Sequence, residues 1–198
     1  DIIAPRMVAG VNNFTILSAP FFLFAGKIMN TGAITNHIFN FANLLVGHIP
    51  GGLGHTNIVA SMFFAGMSGA AVSDAAGLGT IELHAMEEAG YDKKLSVAIT
   101  AASSTVGPII PPSIPMVFYA VQGSVSVGAL FIGGLIPGVV MGLTLMAMVY
   151  FYAIRGKCPP PEPRPTLKQF VQGFLASFLP LMTPVILIGG IYSGIFTP

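Results

Sequence analysis

Between Gly66 and Pro115 this apolar chain carries two polar interruptions rich in helix breakers, GMSGAAVSDAAGLG and, after a short charged stretch, TAASSTVGPIIPPSIP. Only 8% of the 198 residues are charged, 54% are apolar and the mean hydropathy is +0.81. Soluble domains carry about 25% charged residues, so the composition predicts an all-α polytopic membrane protein. In lipid, broken backbone is tolerated only where it is buried in protein or lines a cavity. Two such breaks in succession therefore predict a built site for an ion or small solute.

The formal net charge of +1, without a long basic run, excludes the phosphate-binding footprint of a nucleic-acid partner. A single cysteine, Cys158, allows no intrachain disulfide. His37, His48, His55 and His84 lack metal-ligand spacing, and no nucleophile arrangement is present, so neither a metal centre nor an enzyme is expected. Glu82 and Glu87 read as marking a helix end at the interface. The first ten residues, DIIAPRMVAG, lack the arrangement of a signal peptide. Both ends read as cuts through a longer polypeptide.

Along the chain, residues 1–49 read as flanking helices. In residues 50–90, two segments of roughly 15 residues are joined by GMSG. Each would rise only ~22 Å against a hydrocarbon core of about 30 Å, which predicts a re-entrant helical hairpin. Residues 91–124 read as a transmembrane helix broken at its centre, because Pro108, Pro111, Pro112 and Pro115 cannot continue one regular helix. Residues 125–155 are an uncharged crossing in which Gly133, Gly134, Gly138 and Gly142 admit a close neighbour. Residues 156–178 are a basic, proline-rich connection and an amphipathic arm helix capped by Thr166, and 179–198 begin another crossing. The positive-inside rule places Arg155–Lys168 in the cytoplasm. Counting crossings backwards then puts Lys93, Lys94 and the Pro50–Gly54 turn on the same side.

Asp74, the one acid of the hairpin break, reads either as a group orienting an ion site with Ser68 and Ser73 or as a helix cap. Ser103, Ser104 and Thr105 before Gly107 and Pro108 offer hydroxyls beside freed carbonyls, the neutral oxygens a hard monovalent ion takes. They equally serve as interhelical glue. Asn57, with Ser61 one turn on, faces either the cavity or a neighbouring helix. Helix N-termini at the breaks suit an anionic carboxylate as well.

The segments PFFLFAGKIMNTGAI, GMSGAAVSDAAGLGTIELHAMEEAGYD and TAASSTVGPIIPPSIPMVFYA closely resemble the large membrane (M, DctM-like) subunit of tripartite ATP-independent periplasmic (TRAP) transporters. The resemblance implies the N-terminal half of an inverted-repeat elevator transporter, whose second repeat would follow GIFTP. It implies Na⁺-coupled secondary uptake of organic anions, such as C4-dicarboxylates or sialic acid, across a bacterial or archaeal inner membrane. Na⁺ would be the coupling ion, with no organic cofactor. The implied partners are a small four-helix membrane subunit and a periplasmic substrate-binding protein. By the same resemblance, Gly66, Ser68, Gly69, Ser103, Ser104, Thr105 and Gly107 would bind Na⁺. Asn57, Ser68, Ser73, Asp74, Pro108, Pro111 and Pro112 would line the substrate cavity. A standalone Na⁺-coupled dicarboxylate or citrate carrier would share the hairpin and the broken helix, and a non-transporting membrane subunit is the third reading.

Overall fold

The computed structural model describes Ile3, Pro5 and residues 14–31 and 34–196. The expectation about a signal peptide therefore lies outside the described residues. Those residues contain no strand and nine α-helices. After a 3-10 turn at Phe14–Leu17 come α1 (Ser18–Thr31), α2 (Ile34–Val46), α3 (Gly52–Ser68), α4 (Ala71–Ala76), α5 (Leu78–Glu88), α6 (Lys93–Ser104), α7 (Ile114–Gly123), α8 (Val127–Ile154) and α9 (Leu167–Tyr192).

The helix starts follow ordinary capping chemistry. Asp92 accepts the Leu95 N–H at 3.1 Å and Ser126 the Ala129 N–H at 3.3 Å, while Thr166 and Gln169 form a reciprocal capping box. Pro115 sits in the first turn of α7, where its missing N–H costs nothing, and Ser113 accepts the Met116 N–H at 3.3 Å.

Among the described residues, two helices have the length and apolarity to cross a bilayer. At 1.5 Å per residue, α8 (28 residues) extends ~42 Å and α9 (26 residues) ~39 Å. Both leave large apolar side chains uncovered, Ile136 at 70% and Leu179 at 79%, which in water would be a heavy liability and in lipid is solvation. The arm helix and the crossing expected at 167–178 and from Leu179 form one continuous helix through Pro180 and Pro184, a tolerance known for membrane helices.

The interior has two main clusters. Ile38 and Ala42 of α2, Ala60, Phe64 and Met67 of α3 and Leu78 of α5 form one; Ile58, Met86, Tyr91, Ile99 and Val149 form the other. Glycines of α8 set its approach to the break region. A Cβ on Gly134 would lie 2.6 Å from the Ile109 carbonyl oxygen, and one on Gly138 would meet Ile110 at 2.5 Å. Gly142 faces Met62, whereas Gly133 faces open space and is not part of this stripe. On the other flank, α9 is tied to α2 by the Ser177 hydroxyl donating to the His37 carbonyl at 2.8 Å.

Between α5 and α6, outside the long helices, the Tyr91 ring is buried against α3. Burial, with the charge of Cys158 and Glu162 adding to it, pushes the phenol up to about 12 despite the N–H groups of Gly54 and Leu53. A raised value means that folding favours the neutral phenol. Its contribution is intact below pH ~10 and is lost as pH climbs from ~10 towards ~12. Thermal melts of the detergent-solubilised protein are expected to show alkaline destabilisation in this window, reduced in Tyr91→Phe.

Candidate functional site

The turn between α3 and α4, the tip of the segment expected to form a hairpin, lies directly on the segment where α6 gives way to α7. Helix α3 stops at Gly69, whose φ of +61° is the left-handed conformation that closes a helix without a Cβ penalty. Ala70 is extended, and α4 then turns back. The Gly69 carbonyl accepts the Ile114 N–H at 3.2 Å. A Cβ on Gly69 would lie 2.6 Å from the Pro112 carbonyl oxygen, and one on Gly107 would touch the Ala70 and Ala71 backbone at 3.6 Å. Glycine at both positions is what allows backbone to meet backbone here. The break holds a cis bond between Pro111 and Pro112, and the Ser113 hydroxyl donates to the Pro108 carbonyl.

Around this seam the expected residues divide. Ser68 is wholly buried, and its hydroxyl has no hydrogen-bond partner among the described residues. Gly26 of α1 closes over it, since a Cβ there would sit 3.2 Å from Ser68 Cβ and 3.3 Å from Ser73 Oγ. Gly66, in the last turn of α3, faces Pro184 of α9 and, at 3.7 Å, the Pro111 carbonyl. Pro111 and Pro112 are buried and Pro108 half-buried. Thr105 is exposed, with its hydroxyl donating to the Ala102 carbonyl at 2.6 Å.

Behind the tip runs a buried polar chain joining α3 to α6. Ser61 donates to Ser103 at 3.2 Å, Ser103 to Asn57 Oδ1 at 2.6 Å, and Asn57 Nδ2 to Thr100 at 2.7 Å. Ser104 donates to the Thr100 carbonyl at 2.8 Å. Asn57, Ser61, Thr100 and Ser103 thus brace the two helices, whereas Ser104 bonds within α6. Ser61 and Ser104 also turn their hydroxyls towards the Asp74 carboxyl group. Asp74 is 1% exposed and neither of its oxygens completes a hydrogen bond among the described residues. It does not cap a helix.

The sequence reading missed Glu82. Expected at an interface, it is fully buried and without a hydrogen-bond partner among the described residues, and it senses the charge of Asp74. Its position explains this. Leu78, Gly79, Glu82 and Met86 form the buried stripe of α5; Gly79 packs against Thr100, and the Met86 sulfur receives the Asn57 amide at 3.8 Å. The helical spacing of Glu82 from Leu78 and Met86 was the available signal. Glu87, by contrast, is exposed.

An unpartnered hydroxyl and carboxyl groups closed off from water are groups that a hard monovalent cation would satisfy and that a bare apolar core would not tolerate. The residue types present fit Na⁺, with Ser68, Asp74 and Glu82 among the buried side chains left unsatisfied within the described residues.

The family model described as the DctM component of the tripartite ATP-independent periplasmic transporter matches residues 1–198. The chain is 48% identical to the sialic acid TRAP transporter large permease protein SiaM of Vibrio cholerae, over 98% of this chain and 45% of that protein. It is 48% identical to the sialic acid TRAP transporter permease protein SiaT of Haemophilus influenzae (98% and 31%). It is 40% identical to the C4-dicarboxylate TRAP transporter large permease protein DctM of Pseudomonas aeruginosa (99% and 46%). The chain spans less than half the length of each of these relatives. With a match over its whole length and helices suited to lipid, it is a membrane protein that belongs to the DctM family of TRAP transporter large subunits.

Proposed function

We propose that this chain is the first half of a secondary transporter that takes up an organic anion across the inner membrane with an inward Na⁺ gradient, fed by a periplasmic binding protein and supported by a small membrane subunit. The observation that carries the reading is that three buried oxygens, Ser68 Oγ at the tip and the two of the Asp74 carboxyl group behind it, are left without partners where the chain meets a helix break. In this reading α3 to α5 are a re-entrant hairpin, and α6 and α7 are the halves of one broken span. Gly69 and Gly107 hold the tip on the break. Ser103, Ser104 and Asn57 fix the wall behind it, and backbone oxygens of Gly66, Gly69 and Gly107 complete the set open to Na⁺. Bound Na⁺ would supply positive charge to the carboxylate and to an anionic substrate. Sialic acid or a related carboxylate is the substrate class favoured by the names of the two 48% relatives.

The test is uptake of a panel of organic acids by the full-length subunit, reconstituted with its small partner and binding protein, with and without a Na⁺ gradient. Saturable uptake that needs both the gradient and the binding protein is expected. Uptake without the binding protein would assign a standalone carrier instead. Ser68→Ala removes one unsatisfied oxygen and is expected to raise the Na⁺ concentration for half-maximal uptake by about tenfold, as loss of one hydrogen-bond-strength contact near a charge. An unchanged Na⁺ dependence would remove Ser68 from the site.

A further inference from the structure

Six of the chain's eight Lys and Arg residues lie at one end of the fold: Lys93 and Lys94 at the start of α6, Arg155 and Lys157 after α8, and Arg164 and Lys168 around the start of α9. The acids at this end are engaged within the chain. Glu87 lies 3.9 Å from Lys93 and Glu88 3.4 Å from His84; Asp92 caps α6, and Glu162 accepts the Asn43 amide at 2.8 Å. Lys94 and Lys157 make no ion pair among the described residues.

Both lysines line one open groove of about 550 Å³ between α6 and α8, together with Asp92, Leu95, Ala98 and Tyr152. Lys157 lies over the Tyr152 ring at 5.1 Å, which keeps its ammonium at the groove wall. Below the lysines the wall turns apolar at Leu95 and Ala98, and the neighbouring faces expose Val97 and Phe151. The groove thus has a cationic mouth and an apolar floor at the end of a bilayer-length helix.

We propose that this groove seats an anionic phospholipid, with the phosphodiester between Lys94 and Lys157 and an acyl chain along Leu95 and Ala98. Charge and shape select this occupant. A soluble anion would use the lysines and leave the floor unused, and a zwitterionic lipid would bring its own cation to a mouth already holding two. Basic pockets between membrane helices are a recurring headgroup site. The proposal is independent of the transport reading, because it involves neither the hairpin tip nor the break.

The experiment is native mass spectrometry of the intact full-length complex, titrated with phosphatidylglycerol, phosphatidylcholine or inorganic phosphate. The wild type is expected to retain phosphatidylglycerol over phosphatidylcholine, and inorganic phosphate is not expected to displace it. Lys94→Gln/Lys157→Gln is expected to weaken phosphatidylglycerol retention about 30-fold, the product of two lysines near a membrane surface. Arg164→Gln/Lys168→Gln removes the same charge away from the groove and is expected to change it less than threefold. Equal loss in both variants, equal retention of both lipids, or displacement by inorganic phosphate would each overturn the site. The substituted positions are exposed, and gel filtration of each variant verifies assembly.

Discussion

Gly69→Ala is expected to cut Na⁺-dependent uptake by at least thirtyfold in the reconstituted full-length protein. The φ of +61° costs a residue with a Cβ about 1–2 kcal/mol. The added carbon would also sit 2.6 Å from the Pro112 carbonyl oxygen, so the backbone of the tip or of the break must move. Together these exceed about 2 kcal/mol, which is roughly thirtyfold. Gly90→Ala is the control. Gly90 has a φ of +84°, also left-handed, but nothing lies within 4 Å of a Cβ there. It carries the conformational strain alone, and uptake within about threefold of wild type is expected. If both variants transport equally well, the contact between tip and break does not matter to uptake.

The second large effect concerns the brace behind the tip. Asn57→Ala removes the acceptor for Ser103 and the donor for Thr100, all within a region closed to water. Buried polar groups left without partners typically cost 1–3 kcal/mol each. Ser103 has the Thr100 carbonyl at 3.0 Å as a substitute acceptor, so the expected loss is about 2–4 kcal/mol. Differential scanning of the detergent-solubilised protein should register this as a fall in melting temperature of about 5–15 °C. Thr144→Val, which deletes an exposed hydroxyl donating to Met141 one turn back at 2.8 Å, should shift it by less than 2 °C. Equal shifts would show that the polar chain contributes no more than an ordinary surface bond.

The breaks were legible because glycine and proline act locally. Gly69 ends α3 through its own φ, and prolines 108, 111, 112 and 115 exclude a regular helix whatever surrounds them. Ser68 stood out beside that break as the lone hydroxyl of GMSG, and the fold buries it there. Which way a hydroxyl points was not. Ser103, Ser104 and Thr105 are consecutive and chemically alike, yet they end in three different environments: an interhelical bond, a bond within the helix facing Asp74, and an exposed turn. That division is set by the 100° rotation per residue of α6 against neighbours 40 residues away in sequence. Glu82 misled for a related reason. Its neighbours Glu87 and Glu88 are charged and exposed, and composition averages over faces that the fold separates. In α9 the change from the polar start at Lys168 and Gln169 to the apolar run from Leu179 reads as two elements, yet one helix carries both.

At the opposite end from the tip, Asn43 joins three parts of the chain. Its amide donates to Glu162 at 2.8 Å and its Oδ1 accepts the Thr56 hydroxyl at 2.9 Å, while the Glu162 N–H reaches the Gly47 carbonyl at 3.2 Å. The polypeptide thus leaves α2 and, 119 residues later, returns to the same point. Everything enclosed, from the tip and the break to the whole of α8, is a circuit whose polar closure lies at this knot, beside the apolar packing of α2 on α3 and α5. A rigid displacement of those helices relative to α2 would have to break these hydrogen bonds or turn about them, and would also have to slide the apolar contact of α2 with α3 and α5.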